Sequence, residues 1–482
     1  MIARPFGSDR EALPVTSRGP SGPLARPFGS DGEALPVAPS PHPPTQRAPS
    51  RAFLDALDER TRRLSATFEP LTSHHEGAPP SSAAAVRDAV HVLGDDLLIL
   101  AATVHDLAEE AFAETGSAAA IATAVRARGH DVEIGVGGLP TALRARAGRA
   151  PEDGGTGRIA ILAEYDALPG IGHACGHQVI AAAAVGAFLA LADQAADLPG
   201  EVVLLGTPAE EGSSGKELLA RGGALADLDA AIMVHPFSHD VVDHPFLGRR
   251  QLVATYHGIA AHASAQPFMG RNALDAIALN YQAVAYLRQH LPPSDRVHGV
   301  VREGGQRPSI VPERAQVEYY VRSAAPETLR DLSRRLEDVA RGVALATGTE
   351  VELTWDPLPA TLPVRTNDPL VRRWSQHQSA LGRLPLAGGV VSETLAGSTD
   401  FGNVSARIPG IHPMIAVGDA ALHTREFERV AASPSGDLAV LDGAAGLALT
   451  ALDWLHDGEL RAAVRADFEA AGGVLDVEGY FA

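Results

Sequence analysis

A loop at residues 163–177 carries the side chains best suited to chemistry in this chain. It reads AEYDALPGIGHACGH and holds Cys175, the only cysteine among 482 residues, between His173 and His177. A thiolate needs a metal ion or a cationic neighbour to exist at neutral pH, and imidazole is a common metal ligand. Most free cysteines are small apolar core residues, but a loop of glycine and histidine is not a core segment. We therefore interpret Cys175 and His177 as metal ligands, with His173 as a weaker competitor.

Four further polar residues downstream can complete such a site. Glu210 and Glu211 are adjacent, His235 ends an apolar run, and His423 follows a short glycine- and alanine-containing stretch. Adjacent carboxylates repel each other, which raises one pKa unless cations neutralise the pair. One carboxylate can then bind metal while the other accepts a proton from the hydrolytic water. Taken singly, each has an ordinary alternative, a solvated acidic pair or a structural histidine.

The donor types indicate which metals the site would hold. Mixed sulfur, nitrogen and oxygen ligands suit Zn²⁺ first, with Mn²⁺ or Co²⁺ compatible because carboxylate is present. Five ligands are too many for one tetrahedral zinc ion, so the set predicts two divalent ions about 3.5–4 Å apart. A purely structural zinc site would be closed and four-coordinate, and the extra carboxylate disfavours it.

Alternating strands and helices would bring these side chains together. Short apolar runs predict strands at 159–163, 202–206 and 230–234, with helices between them. This alternation predicts an α/β fold with a mainly parallel sheet and right-handed crossovers. Asp166 and the candidate ligands, apart from His423, follow the carboxyl ends of these strands. That edge is where open α/β sheets bind their ligands.

The chain divides into three parts by pattern. Residues 251–356 predict the strand-helix-strand-strand-helix-strand order of a ferredoxin-like domain, inserted into a catalytic domain of residues 51–250 and 357–482. Residues 1–50 are rich in proline, glycine, serine and alanine and contain ARPFGSD twice. This segment has too little apolar surface to offset the entropy that ordering would cost. Its composition therefore predicts a disordered tail.

Composition excludes several classes of partner. Lys and Arg number 40 against 59 Asp and Glu, a net charge of −19, which argues against a nucleic-acid surface. A single cysteine cannot form an intramolecular disulfide and fits a reducing compartment. No apolar run reaches the ~20 residues of a membrane span, and no secretory signal is recognisable. We expect a cytoplasmic enzyme without nucleic-acid or membrane partners.

Ordered motifs along the chain resemble peptidase family M20. The resemblance is greatest to its amidohydrolase branch, subfamily D, which includes β-alanyl-lysine dipeptidases and aminobenzoyl-glutamate hydrolases. The matching segments are AEYDALPGIGHACGH at 163–177, GTPAEEG at 206–212, HGIAAHAS at 257–264, GRNALD at 270–275 and GSTDFGNVS at 397–405. This resemblance implies a metal-dependent amidohydrolase or dipeptidase that cleaves small dipeptide-like substrates with a free carboxylate.

The resemblance also implies roles for individual residues. It places the metal ligands at Cys175, His177, Glu211, His235 and His423. Cys175 would replace the bridging aspartate used elsewhere in the clan. Glu210 takes the general-base position, and Asp166 orients a ligand from behind. His262 matches a lid histidine that reaches a neighbouring active site and stabilises the tetrahedral oxyanion.

Substrate-binding residues follow in the same way. Asn272 and Arg322 resemble lid groups that grip a substrate carboxylate, and Gly397 and Ser398 resemble the loop that faces it. Asn272 could instead cap the helix that begins after it, and Arg322 could be a solvated charge at a strand end. The inserted domain is expected to act as a lid and to pair with another subunit in a homodimer.

Two departures from the family pattern and two rival functions stay open. Gln178 stands where the subfamily usually has aspartate, and residues 107–112, LAEEAF, replace its usual His-Pro-Glu. A rival enzyme is an N-acyl-amino-acid or aminobenzoyl-glutamate deacylase, which would differ in pocket shape. A rival of another class is a catalytically silent ligand-binding homologue, although Glu210 and a full ligand set argue against it.

Overall fold

The computed structural model describes residues 49–481 of the chain. Almost all of the predicted disordered tail, residues 1–50, therefore lies outside the described residues. From Ala52 onward the chain forms one compact unit. Within this unit two main sheets each have their own hydrophobic core.

Between residues 158 and 232 strands and helices alternate, as the sequence pattern predicts for that segment. The strands are β1 (Val132–Ile134), β2 (Leu143–Gly148), β3 (Arg158–Ala163), β4 (Glu201–Gly206), β5 (Ala230–Ile232), β6 (His235–Phe237), β7 (Gly248–His257), β8 (Arg296–Glu303), β9 (Arg314–Ser323), β10 (Glu350–Trp355), β11 (Gly410–Ile411) and β12 (Met414–Ala416). The helices are α1 (Ala52–Ser65), α2 (Pro80–Leu107), α3 (Thr115–Ala127), α4 (His177–Ala192), α5 (Gly215–Arg221), α6 (Ala273–Leu287), α7 (Pro326–Thr347), α8 (Asp368–Ala380), α9 (Phe401–Ser405), α10 (Arg425–Ala431), α11 (Pro434–His456), α12 (Gly458–Ala470) and α13 (Val477–Phe481).

The first sheet has the order β1-β2-β4-β3-β5-β11. Strands β4, β3, β5 and β11 run parallel, whereas β1 and β2 form an antiparallel edge. The turn between β1 and β2 is too short for a helical crossover, which is why these two strands pair antiparallel. The prediction of an α/β fold with a mainly parallel sheet is confirmed.

Apolar helices cover the first sheet. Every residue of α4 is buried, because the helix is apolar on all sides and packs against β3, α2 and α11. Helix α11 is long and apolar enough to cross a membrane, but 83% of its most apolar stretch is buried within the fold. Both helices are therefore core helices that pack on the sheet and on each other.

Apolar residues recur three and four apart through residues 83–115, a pattern that predicts one helix, but α2 ends at Leu107. Ala108 adopts a left-handed φ of 43°, which terminates α2. The Glu109 carboxylate then accepts backbone N–H bonds from Gly116 at 2.9 Å and Ser117 at 2.8 Å. Because this carboxylate satisfies the free amides at the start of α3, the chain begins a new helix instead of continuing the old one.

The second sheet is antiparallel throughout, with the order β10-β7-β9-β8. Helices α6 and α7 pack on one of its faces. Their chain order and the strand order are those of the predicted ferredoxin-like pattern.

The chain enters the second sheet with β7 and leaves it at the end of β10, and Thr361 follows six residues later. The Arg249 N–H donates to the Thr361 carbonyl at 2.8 Å, and the Thr361 N–H donates back at 2.9 Å. The two connecting segments are therefore hydrogen-bonded to each other as one short ribbon.

Candidate active site

Side chains from separate loops converge at the carboxyl edge of the first sheet. Cys175 lies between β3 and α4, His235 begins β6, and His423 lies between β12 and α10. The Cys175 Sγ atom lies 3.6 Å from His235 Nε2 and 3.4 Å from His423 Nε2. The structure thus brings together three predicted ligands that are up to 248 residues apart in the chain.

Gly176 permits this approach. It has a left-handed φ of 79°, and a Cβ atom there would lie 2.8 Å from the Pro236 ring. Any other residue would be strained and would push the Cys175 loop away from His235.

His177 and Glu211 are held by one carboxylate, Asp166. The His177 Nδ1 atom lies 2.8 Å from the Asp166 carbonyl oxygen and 3.1 Å from its Oδ1 atom. The other carboxylate oxygen accepts the Glu211 backbone N–H at 2.8 Å. A proton on Nδ1 leaves Nε2 as the free ligand atom, 3.9 Å from Glu211 Oε1. Asp166 lies behind both predicted ligands and orients them.

The arrangement of lone pairs fits two cations. His177 Nε2 and Glu211 Oε1 are buried and have no hydrogen-bond partner among the described residues. Ligand atoms of Cys175, His177 and His235 lie within 4.8 Å of one another, as do those of Cys175, Glu211 and His423. Buried polar atoms without partners are costly, and divalent ions would satisfy them. Both groups include Cys175, and together these residues could hold two divalent ions.

Burial sets the protonation of the sulfur and the imidazole. It raises the pKa of the Cys175 thiol well above its usual value, with the negative charge of Glu211 adding to the effect. A nearby cation is therefore required to hold this side chain as a thiolate. Burial also lowers the pKa of His235 to about 4. His235 is then neutral near pH 7, and its Nδ1–H donates to the Pro236 carbonyl at 2.7 Å, which leaves Nε2 free to ligate.

Glu210 lies beside the ligands and lines the same cavity. Its carboxylate is within 4.8 Å of ligand atoms of His177 and Glu211. Burial raises the pKa of Glu210 well above its usual value, and the nearby charges of Glu164 and Glu211 raise it further. Bound cations would counter this rise, so the site could hold Glu210 as a base.

The turn before Glu210 is strained and anchored. Ala209 has a left-handed φ of 59°, which is unfavourable for a residue with a Cβ atom. Its N–H donates at 2.9 Å to the carboxylate of Glu114, which is fully buried and also bound at 3.0 Å by the Thr141 hydroxyl. This network fixes the direction in which Glu210 leaves the backbone.

A buried lysine behind Glu210 was missed by sequence reasoning. Lys216 is 1% exposed, and its Nζ atom lies 2.5 Å from Glu164 Oε1 and 2.6 Å from Asp400 Oδ1. Carboxylate oxygens of Glu164, Glu210 and Asp400 lie within 4.8 Å of one another. Lys216 therefore offsets charge in a crowded acidic cluster. Glu164 and Asp400 lie within two of the recognised motifs, but nothing in the short α5 pattern distinguishes Lys216 from a surface lysine.

A cavity of about 470 Å³ opens onto these residues. Arg322, Gly397 and Ser398, for which the sequence predicts contact with a substrate carboxylate, line it. The Ser398 hydroxyl is buried without a hydrogen-bond partner in the described part of the chain. Phe237, Phe246, Met414, Leu168, Leu395 and Leu422 supply apolar wall.

Three predicted or competing residues lie elsewhere. Asn272 caps α6, because its side-chain oxygen accepts the N–H groups of Leu274 and Asp275 at 2.9 and 3.3 Å. His262 lies on an exposed loop, and neither residue lines the cavity of its own chain. The competitor His173 contacts the Val104 carbonyl through Nε2 at 2.9 Å, so it faces away from the ligand cluster.

Comparisons with known proteins agree on one group. The family model described as "Peptidase family M20/M25/M40" matches residues 160–449. A mouse (Mus musculus) protein, Xaa-Arg dipeptidase, is 40% identical over 341 residues, covering 69% of this chain and 78% of its own length. One component of the p-aminobenzoyl-glutamate hydrolase of Escherichia coli is 34% identical over 289 residues, covering 55% of this chain and 59% of its own length.

A solved structure has the same fold. A Bacillus subtilis protein described as a dinuclear metal-binding peptidase from the M20 family superposes with a TM-score of 0.56 at 21% identity. The superposition covers 74% of this chain and 99% of the other.

Proposed function

The chain belongs to peptidase family M20/M25/M40 and is a metal-dependent hydrolase of peptide or amide bonds, and from this we propose that it cleaves small dipeptide-like amides with a free carboxylate. The observation that carries the proposal is the pair of ligand groups that share Cys175 and lie next to Glu210 along the wall of one cavity. The family assignment agrees with the motif resemblance. The substrate and the role of each residue are the proposal.

Five residues would hold two divalent ions, Zn²⁺ or Mn²⁺ with Co²⁺ as a further candidate: Cys175, His177, Glu211, His235 and His423. Such ions supply Lewis acidity, which lowers the pKa of a water and polarises the scissile carbonyl. Glu210 accepts the proton of the attacking water and then delivers it to the leaving amine. Asp166 keeps His177 and Glu211 in position while this happens.

The carboxylate of the substrate would bind at the arginine side of the cavity. Arg322, Gly397 and Ser398 line that region, and an arginine fork matches a carboxylate well. Two relatives are named for their substrates, an Xaa-Arg dipeptide and p-aminobenzoyl-glutamate. Both compounds end in an amino acid with a free carboxylate. A common carboxylate, rather than a common side chain, would therefore define the substrate class.

A hydrolysis panel tests this function. It contains Xaa-Arg and β-alanyl dipeptides, N-acyl amino acids and p-aminobenzoyl-glutamate, each assayed with Zn²⁺, Mn²⁺ and Co²⁺. We expect turnover of at least one free carboxylate substrate, with a rate that depends on the metal. A folded, metal-loaded protein that binds these compounds without cleaving any would instead support the silent ligand-binding alternative.

We also propose that residues 251–356 form a lid and that the enzyme is a homodimer. His262 lies outside its own cavity, which supports a role in the cavity of a partner. Removing a donor that stabilises an oxyanion typically lowers kcat by about 10²–10³-fold, so the loss of His262 should have an effect of that size.

Since the only thiol belongs to the metal cluster, a reducing compartment such as the cytoplasm suits the enzyme.

Mixing two inactive variants tests the shared site. His262→Ala and Glu210→Gln should each be nearly inactive as homodimers. In a mixed dimer one of the two cavities has both groups intact. Equal co-expression makes about half of the dimers mixed, so it should restore about a quarter of the unaltered activity. No recovery in verified mixed dimers would mean that His262 does not serve a partner.

A further inference from the structure

We propose that Arg249, which no family motif singled out, is a second carboxylate-binding residue beside Arg322 and sets the preference for a substrate acid over its carboxamide. The inference rests on the proposed function and adds a specificity-determining residue to that site. Arg249 is 6% exposed and lines the cavity with Arg322.

The sheet register brings the two arginines together. Arg249 in β7 is directly opposite Arg322 in β9, so both side chains leave the same face of the second sheet. The Arg249 guanidinium also lies 5.0 Å from the centre of the Tyr320 ring. Tyr320 lines the same cavity, and it shares this face because it is two residues from Arg322.

Two like charges placed opposite each other normally destabilise a sheet. Neither Arg249 nor Arg322 forms an ion pair with a carboxylate anywhere in residues 49–481. The Arg322 Nε atom is buried without a hydrogen-bond partner in the same residues. Burial lowers the pKa of Arg322, and the charge of Arg249 lowers it further. An anionic ligand would relieve this repulsion, whereas a neutral or cationic group would not.

The acidic residues of the cavity do not fill this role. Glu211 belongs to the metal cluster, Glu210 lies beside it, and Asp400 is bound by Lys216. The negative charge that complements the two arginines must therefore come from the ligand.

Arg249 is held in place before a ligand arrives. Its Nη1 group donates to the Gly212 carbonyl and its Nη2 group to the Ser214 hydroxyl, both at 3.2 Å. These contacts use part of its five N–H donors, so further donors remain for a carboxylate. A guanidinium that is already fixed loses little conformational entropy on binding, which favours affinity and selectivity.

The test compares acid and carboxamide forms of one substrate. The probe is any member of the hydrolysis panel that the unaltered enzyme cleaves, such as alanyl-arginine, β-alanyl-lysine, an N-acyl amino acid or p-aminobenzoyl-glutamate, together with its α-carboxamide. Arg249→Met should lower kcat/KM for the acid by about 10- to 100-fold, mainly through KM, because a charge-assisted hydrogen bond is lost. The carboxamide rate should change much less, so the acid-to-amide ratio should fall.

Matched variants separate charge recognition from support of the loop. Arg249→Lys should restore part of the ratio because it keeps the charge without the fork. Arg322→Met should lower the ratio as well, and the double variant should show less than the sum of the two effects. Arg302→Gln removes an arginine from the same sheet outside the cavity, where it pairs with Glu318, and should leave the ratio unchanged.

The outcomes divide cleanly. An equal loss for acid and carboxamide in Arg249→Met would assign Arg249 to supporting the Gly212–Ser214 turn alone and would overturn the inference. If the unaltered enzyme cleaves no member of the hydrolysis panel, the proposed function falls and the inference with it.

Discussion

Replacing Glu210 by glutamine should lower kcat by about 10²–10⁴-fold, the usual contribution of a general base, while both metal ions stay bound. The amide has nearly the same shape but cannot accept a proton. The change also removes one acid from the cluster with Glu164 and Asp400, so the melting temperature should stay the same or rise. Activity, metal content and thermal unfolding of the same preparation measure these three effects.

Glu211→Gln is the matched control for that experiment. It makes the same chemical change one residue away, but its carboxylate lies in the ligand group with Cys175 and His423. It should therefore lose bound metal as well as activity. Near-normal turnover in Glu210→Gln would remove Glu210 from the role of base.

Replacing Cys175 by alanine should cost the enzyme both metal ions at once. The two ligand groups share this sulfur, so a single substitution removes a donor from each. Loss of a residue behind the ligands typically lowers metal affinity by about 10–100-fold, and losing this shared ligand should lower it further. Activity should fall to that of the unaltered enzyme after chelation. Elemental analysis and activity measured across a metal titration would show both losses.

Cys175→Asp and metal restoration complete that comparison. A carboxylate can also bridge two ions, so Cys175→Asp should retain more metal and activity than Cys175→Ala. Chelated unaltered enzyme should recover activity with Zn²⁺, Mn²⁺ or Co²⁺. If Cys175→Ala keeps two ions and full activity, the sulfur is not shared between them.

Sequence reasoning anticipated the parts of the site that follow from chain direction. Parallel strands present their carboxyl ends at one edge, so Cys175, His177 and Glu211 could be expected to meet once β3 and β4 were recognised. His423 could be named as a candidate from its residue type, but its role as a ligand came from family resemblance, because a loop histidine far along the chain has no periodic pattern of its own.

Residues whose role depends on sheet register could not be predicted in this way. Arg249 and Arg250 are adjacent and look alike in sequence, yet they leave opposite faces of β7. Arg250 pairs with Asp356 and packs over the Trp355 ring at 4.3 Å, whereas Arg249 lines the cavity. Only the pairing of β7 with β9 decides which arginine faces a ligand. Lys216 was missed for a related reason, since its burial depends on Glu164 and Asp400 from distant segments.

The ribbon formed by Arg249 and Thr361 is one connection between the second sheet and the rest of the fold, and helix α13 makes another, through Phe481 and Tyr480. If the second sheet moves as the proposed lid, this ribbon would be its pivot. Arg249 and Arg322 sit beside that pivot, whereas His262 follows the far end of β7, a ten-residue strand that spans roughly 30 Å. A swing of the sheet would barely displace the two arginines but would sweep His262 through a wide arc. An anion could then bind Arg249 and Arg322 before the sheet swings. His262 would reach its position only after the swing, and how far it moves would depend on the angle of the swing.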